Sequence, residues 1–359
     1  MPANTGPIRV LLVGPGMRPI GGQAVQLQRL MNRLNQSGKV SADFVPTNPE
    51  LTGLPGSMQR VKYVRTFVTS VAFWIQLLRT IPKFEVVHVF SASYWSFIIS
   101  AAPPLLIGRI FGKRVILNYR SGEAEDHLAR WRWLAPRLMR LAHTIVVPSD
   151  YLVGVFAKFG LTAQPIPNFV EVEKIPFRER TQFRPIFLSN RSLQPLYNVP
   201  CIVRAFRIIQ DKYPDARLII AGDGPERHKI EILVKSLALD NVEFRGDLDQ
   251  ETMWKTYDEA DIYLNSPNID NMPGSVLEAF AAGIPVVSTD SGGIPFIVSN
   301  GETGVLSAAN DHAELALNAI GILHNIEFGI RISRQARREL CGRYTWNVVE
   351  HRWLRLYRL

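Results

Sequence analysis

The chain has 359 residues, 47% hydrophobic and 20% charged, enough for about two domains at ~150 residues each and too well balanced for a disordered or collagen-like protein. Its formal charge of +9 is uneven: residues 1–175 carry 20 Lys and Arg against 9 Asp and Glu (+11), and residues 176–359 carry 21 against 23 (−2). The two cysteines, Cys201 and Cys341, stand far apart with no CxxC partner, which excludes a disulfide scaffold or a cysteine-built zinc site and fits a reducing compartment.

The opening MPANTGPIRVLLVGPG has no basic stretch ahead of its six-residue apolar run, so no signal peptide is expected and the chain reads as cytoplasmic. Ile8 to Val13 reads as a buried parallel strand. A Gly/Pro loop ending in Gly21-Gly22 follows, then a helix over about 23–34. Further strands are expected near 43–45 and at 84–90, 114–119 and 143–149, with helical stretches between them. The second half repeats the rhythm, with strands at 184–189, 216–222, 242–246, 260–266 and 284–289. Strand and helix alternating at this spacing predict parallel sheets covered on both faces, and two such sets predict two doubly wound α/β domains. Residues 166–185, rich in proline and charge, read as the linker, and the stretch from Tyr344 reads as a basic amphipathic helix. Residues 86–108 lack any Asp, Glu, Lys or Arg. Strand, polar loop and covering helix account for them better than a membrane span, because Pro103-Pro104 would break a spanning helix.

In doubly wound domains ligands sit beyond the carboxyl ends of the strands. The loop from Gly14 to Gly22 suits an anion at a helix N-terminus, although it is neither GxGxxG nor a GKS/GKT phosphate loop. Stronger signals follow in the second half. Gly222-Asp223-Gly224-Pro225 marks a strand-to-helix turn. The block 266–298, SPNIDNMPGSVLEAFAAGIPVVSTDSGGIPFIV, sets Asp270 on a loop and Glu278 about one turn into a helix beginning near Ser275. Such a loop offers a carboxylate and backbone N–H groups to a sugar, while the second carboxylate can hold a ribose diol bidentately. The plainer alternative for Glu278 is a capping box with Ser275.

On these blocks the chain resembles a retaining glycosyltransferase of the large glycogen-synthase-like group 1 family, built as two Rossmann-like domains facing across a cleft, the GT-B fold. The resemblance covers nearly the whole chain and rests on the strand–Gly-Gly–helix start, IPN at 166–168, AGDGP at 221–225, and the acid-x7-acid block followed by GIPVVSTDSGG. It implies an N-terminal acceptor domain (1–172), a C-terminal nucleotide-sugar domain (173–342) and a C-terminal helix (343–359) packing back on the first. Glu278 would hold the donor ribose. Asp270 would stand where the family has a Glu touching sugar hydroxyls, and the backbone of Asn271, Met272, Pro273, Gly274 and Ser275 would meet the sugar and phosphates. Gly222 and Asp223 would join the donor site. Arg191 matches the basic residue that neutralises the leaving diphosphate, with an interdomain salt bridge as its alternative, and Gly21 and Gly22 would approach the phosphate from the other domain. No metal or other cofactor is implied, because Arg191, helix N-termini and glycine N–H groups would meet the leaving-group charge.

Three departures bear on activity. Where the family usually has a His after the NY-type strand end, the chain reads Arg120-Ser121-Gly122-Glu123. The usual Lys shortly after Arg191 is absent, with Tyr197 and Asn198 in that loop, and the first acid is Asp. Arg120 is therefore the candidate second cation at the diphosphate, or else a partner of Glu123 or Glu125. Residues 66–78 are apolar nearly all round and flanked by Arg60, Lys62, Arg65, Arg79 and Lys83; residues 127–143 set four arginines beside Trp131 and Trp133. Either segment alone reads more simply as a helix covering the sheet with its charges snorkelling; together with the basic first half they point to peripheral contact with the inner membrane face. With no basic run or basic–aromatic RNA motif, no nucleic-acid partner is expected. The expected function is transfer of a sugar from a UDP- or GDP-sugar to a polysaccharide or lipid-linked acceptor. A non-catalytic partner subunit and a sugar-nucleotide epimerase are the alternatives.

Overall fold

The computed structural model describes residues 6–16, 21–49 and 62–358. The chain divides into two units: one comprises residues up to Ile166 together with Glu350 onward, the other Pro167–Val349.

The first unit holds a six-stranded parallel sheet of β1 (Ile8–Gly14), β2 (Val40–Pro46), β3 (Val86–Ser91), β4 (Arg114–Tyr119), β5 (Thr144–Val147) and β6 (Ala163–Pro165), in the order β2-β1-β3-β4-β5-β6. The second unit holds β7 (Ile186–Ser189), β8 (Arg217–Ala221), β9 (Val242–Gly246), β10 (Ile262–Asn265), β11 (Val286–Thr289) and β12 (Val305–Ser307), in the order β12-β11-β10-β7-β8-β9. Counted within its unit this is 6-5-4-1-2-3, the dinucleotide-fold order read from the other edge. Near-continuous apolar runs form the central strands because both faces are covered, whereas the edge strands β2 and β9 are partly exposed. On β8, Ile219 packs into one core while Leu218 and Ile220 pack into the opposite one. The short strands β6 and β12, three residues each, were not anticipated from the sequence.

Two sequence expectations need correction. The segment read as a linker is packed structure of the second unit: Phe169, Val170 and Ile175 are buried, and the Val170 N–H donates to the Tyr344 carbonyl. Its charge is spent internally. Arg180, 2% exposed, donates to the Ala260 and Ala282 carbonyls and, with Arg178 and Arg184, converges on the buried Asp261 carboxylate. Nor do Pro103 and Pro104 end a helix. The chain is helical from Tyr94 to Ile110, and the prolines occupy the first turn of Ala102–Ile110, just after a π-turn over Phe97–Ala101. A first turn lacks N–H partners anyway, and the widened turn before it accommodates the rings. No helix among the described residues is long and apolar enough to cross a membrane.

In the first unit His88 on β3 is fully buried. Its Nδ1 lies 2.8 Å from the Tyr357 hydroxyl, its Nε2 3.1 Å from Asn118 Nδ2, and its ring packs on Trp353. The last helix, Trp346–Arg358, thus completes the first unit's core with Trp353, Leu356 and Tyr357.

Candidate active site

The strand order of the second unit reverses between β7 and β10, and the loops leaving the carboxyl ends of those strands carry most of the residues singled out above. Arg191 stands two residues beyond β7. Its guanidinium pairs with the Asp270 carboxylate, donates from Nη1 to Ser275 Oγ at 3.0 Å and lies 4.0 Å from the centre of the Tyr197 ring. Burial alone would lower its pKa, but the Asp270 charge outweighs that and holds it above the ordinary arginine value. Arg191 is therefore a fixed cation, and the salt bridge considered for it forms inside this unit, with the site's own carboxylate.

Asp270 opens a tight turn in which its Oδ1 accepts from the Asn271 N–H at 2.7 Å. The turn is held from two sides. The Gly293 N–H donates to the Asp270 carbonyl at 2.8 Å, and Cβ atoms on Gly292 and Gly293 would fall 2.2 and 2.1 Å from the Asp270 and Asn271 carbonyl oxygens. The Ser-Gly-Gly after β11 is thus a backbone seat for the 270–271 loop. On the other side Asn168, of the IPN triplet, donates from Nδ2 to the Met272 carbonyl at 2.7 Å. Met272 and Asn271 are buried, which leaves only their main chain to meet a ligand.

The helix Gly274–Ala282 starts after Pro273 with no side-chain cap, so no capping box forms between Ser275 and Glu278. Glu278 instead meets Tyr257, whose hydroxyl lies 3.1 Å from Glu278 Oε2 and 3.2 Å from the Ser275 carbonyl and accepts from Asn190 Nδ2 at 2.7 Å. Burial, then the Glu278 charge, push the Tyr257 pKa well up, so the hydroxyl stays a donor. Tyr257, Asn190 and Tyr197 complete the site without having been singled out for it. Tyr257 gave no motif, although a buried tyrosine needs a partner for its hydroxyl.

Gly222 and Asp223 lie on the neighbouring loop after β8. A Cβ on Gly222 would come 2.3 Å from the Arg191 carbonyl oxygen, and the Asp223 carbonyl accepts from the Leu193 N–H at 2.9 Å. This loop therefore shapes the backbone that presents Arg191. The Asp223 carboxylate is engaged in its own turn, with the Gly224 N–H and Arg227.

The remaining predicted residues belong to the first unit. Gly21 and Gly22 begin the helix Gly22–Gln36 after β1, again with no side-chain cap, and a Cβ on either would meet nothing within 4 Å. Arg120 follows β4. Its N–H donates to the Ser91 carbonyl, its Nη1 lies 3.4 Å from Asn118 Oδ1, its guanidinium lies 5.4 Å from the Phe90 ring centre, and burial lowers its pKa to about 10. Glu125 pairs with Lys158 at 2.7 Å, and Glu123 accepts from Ser93 at 3.3 Å.

Residues 172–339 match the family model described as "Glycosyl transferases group 1". The chain is 30% identical over 151 residues to 2-deoxystreptamine N-acetyl-D-glucosaminyltransferase of Niallia circulans, covering 42% of this chain and 39% of that one. It is 25% identical over 316 residues to the sulfoquinovosyl transferase SQD2 of Arabidopsis thaliana, covering 80% and 59%. The chain thus spans less than two thirds of the length of these curated relatives. Among solved structures, Anabaena HepE in complex with UDP and glucose superposes with a TM-score of 0.74 at 14% identity, over 97% of this chain and 98% of that one. Sucrose-phosphate synthase of Thermosynechococcus elongatus gives 0.77 at 17% identity, over 98% of both chains. The architecture is the GT-B fold, and residues 172–339 are a group 1 glycosyltransferase domain.

Proposed function

We propose that the chain transfers a sugar from a nucleoside-diphosphate sugar, UDP- or GDP-linked, to a glycan or lipid-linked acceptor with retention of anomeric configuration and without a metal ion. The observation that carries this reading is the convergence, at one strand-order switch, of a fixed cation (Arg191), a carboxylate on a backbone-rich turn (Asp270) and a second carboxylate held by a tyrosine (Glu278). In the reaction the bond from the sugar's anomeric carbon to the diphosphate oxygen breaks, and a bond to the acceptor hydroxyl oxygen forms on the same face. The acceptor's proton passes to the departing diphosphate, which leaves as nucleoside diphosphate. Arg191 and the uncapped start of Gly274–Ala282 meet the growing negative charge. Glu278 holds the ribose diol, Asp270 orients sugar hydroxyls, and the 271–275 main chain contacts sugar and phosphate. Such an enzyme works in the cytoplasm, and a lipid-linked acceptor brings it to the inner membrane face.

The test is a thermal-shift panel of UDP, GDP, ADP and their common sugar conjugates, with and without divalent ions. A ligand at 100 times its Kd adds ~2.7 kcal/mol of stability. A shift with one nucleotide, lost in Glu278→Ala, is expected, while Asp270→Ala keeps the shift and loses turnover. No shift with any nucleotide would overturn the reading in favour of a non-catalytic subunit, and turnover without an acceptor in favour of an epimerase.

A further inference from the structure

One helical layer of the first unit carries apolar side chains that its core does not use. The helix Lys62–Thr80 buries Phe73 and Leu77 against the sheet. At about 100° per residue, its exposed Phe67, Val71, Trp74, Ile75 and Leu78 all fall within an arc of about 100° on another side. The helix Ala102–Ile110, packed beside it, also leaves Leu106 and Ile110 exposed, one turn apart; Phe67 and Ile110 are 72% and 71% exposed. Soluble surfaces usually scatter such residues singly; here two neighbouring helices each carry several.

The charge around the stripe is of one sign. From Leu51 to Tyr119 the chain carries eight Lys and Arg and a single acid, Glu85. Arg79, Lys83 and Arg109 are exposed at the ends of the two helices, and neither helix contains an acidic residue. Of the flanking cations named from the sequence, Arg60 and the side chains of Lys62 and Arg65 lie outside what is described. The segment 127–143 contributes less than its sequence promised: Trp131 packs on His127 and Trp95, Arg130 pairs with Asp126, and Ala135 and Met139 are buried, leaving Trp133 with Arg132 and Arg137 exposed. Nucleic acid would match the charge and leave the apolar stripe in water. A surface whose interior is hydrocarbon and whose boundary is anionic matches both at once.

We propose that this layer docks on an anionic lipid bilayer, with Lys62–Thr80 lying in the plane of the interface, its Phe67–Trp74–Leu78 face among the upper acyl chains and the basic helix ends at the phosphates. The inference rests on the membrane-contact part of the proposed function and gives it a surface. It uses no residue of the donor site.

The test is flotation of the full chain with vesicles of phosphatidylcholine alone or mixed with phosphatidylglycerol, at low and high salt. Binding is expected on the mixed vesicles, stronger at low salt. Trp74→Ser with Leu78→Ser should weaken it tenfold or more at either salt, and Arg79→Glu with Arg109→Glu should weaken it chiefly at low salt. Far-UV circular dichroism and an unshifted first-unit thermal transition confirm that both variants remain folded, and transfer to a water-soluble acceptor reports the chemistry separately. No flotation on the anionic vesicles, or flotation unaffected by the Ser variants, would overturn the proposal. So would a vesicle-independent dimer abolished by those variants, which would assign the stripe to a second copy of the chain.

Discussion

Arg191 and Asp270 stand 79 positions apart in sequence, and each fixes the state of the other. The carboxylate keeps a buried guanidinium charged; the guanidinium, held by Ser275 and the Tyr197 ring, keeps the carboxylate in one orientation. Tyr197 lies in the loop where the resemblance led to the expectation of a lysine, and its ring face stabilises a cation by about 0.5–2 kcal/mol. Tyr197→Phe should therefore keep turnover near the parent's, while Tyr197→Leu should lower kcat about 2- to 30-fold with a smaller change in KM, measured by steady-state kinetics. Both residues of the ion pair were legible singly, from their place after a strand and inside a motif. Their partnership was not, because nothing local in sequence records which loops the strand order brings together.

Two buried histidines give the protein an acid limit at the same scale. Burial lowers His88 to about 3 and His127 to about 4, against about 6.5 in an unfolded chain. Between those values the unfolded state binds protons that the folded state refuses, so stability falls as pH drops below 6.5, by about 1.4 kcal/mol per pH unit for each histidine. Urea unfolding followed from pH 6.5 to 4.5 should show this slope, and His127→Phe should remove one histidine's share. Neither role was read from sequence, where a lone histidine in an apolar segment carries no sign of its depth.

Among elements, the charged stretch before β7 shows why composition misled. Arg178, Arg180 and Arg184 would be surface charges in a linker; here they surround Asp261, 1% exposed, at the start of β10. Burial would raise the Asp261 carboxyl, and its hydrogen bonds to Arg184, with Arg178, hold it below the ordinary range. Asp261→Ala leaves buried Arg180 without its counter-charge and should cost about 3–5 kcal/mol, seen as a lower urea midpoint at unchanged slope. Longer elements were easier to read: β4 and β9 fall on the residues expected from their apolar runs, whereas β6 and β12 are too short to show a period. The donor-side turn was legible through its glycines. Their reason appears only in three dimensions, where Gly293 leaves no room for a Cβ beside Asn271, so Gly293→Ala should lower both melting temperature and nucleotide affinity.

At the scale of the molecule, the two units carry separate cores and unlike charge. Their existence was readable from strand–helix alternation, because parallel sheets need near-continuous apolar strands. Separate cores predict that heat unfolding departs from a single two-state transition. A nucleotide held by Arg191 and Glu278 should raise the transition of the unit containing 167–349 more than the other, which scanning calorimetry with and without nucleotide resolves.

The path of the chain also sets an order of events. The unit spanning Pro167–Val349 is continuous, whereas the unit that begins the chain is finished by residues from Glu350 onward. Until Trp353 and Tyr357 leave the ribosome, the cover over His88 is missing from a core that is otherwise already made. The usual vectorial sequence, first unit first, is inverted: the unit of residues 167–349 has all its residues before the unit that was translated ahead of it, and a chain cut near residue 350 would hold one complete unit and one still open.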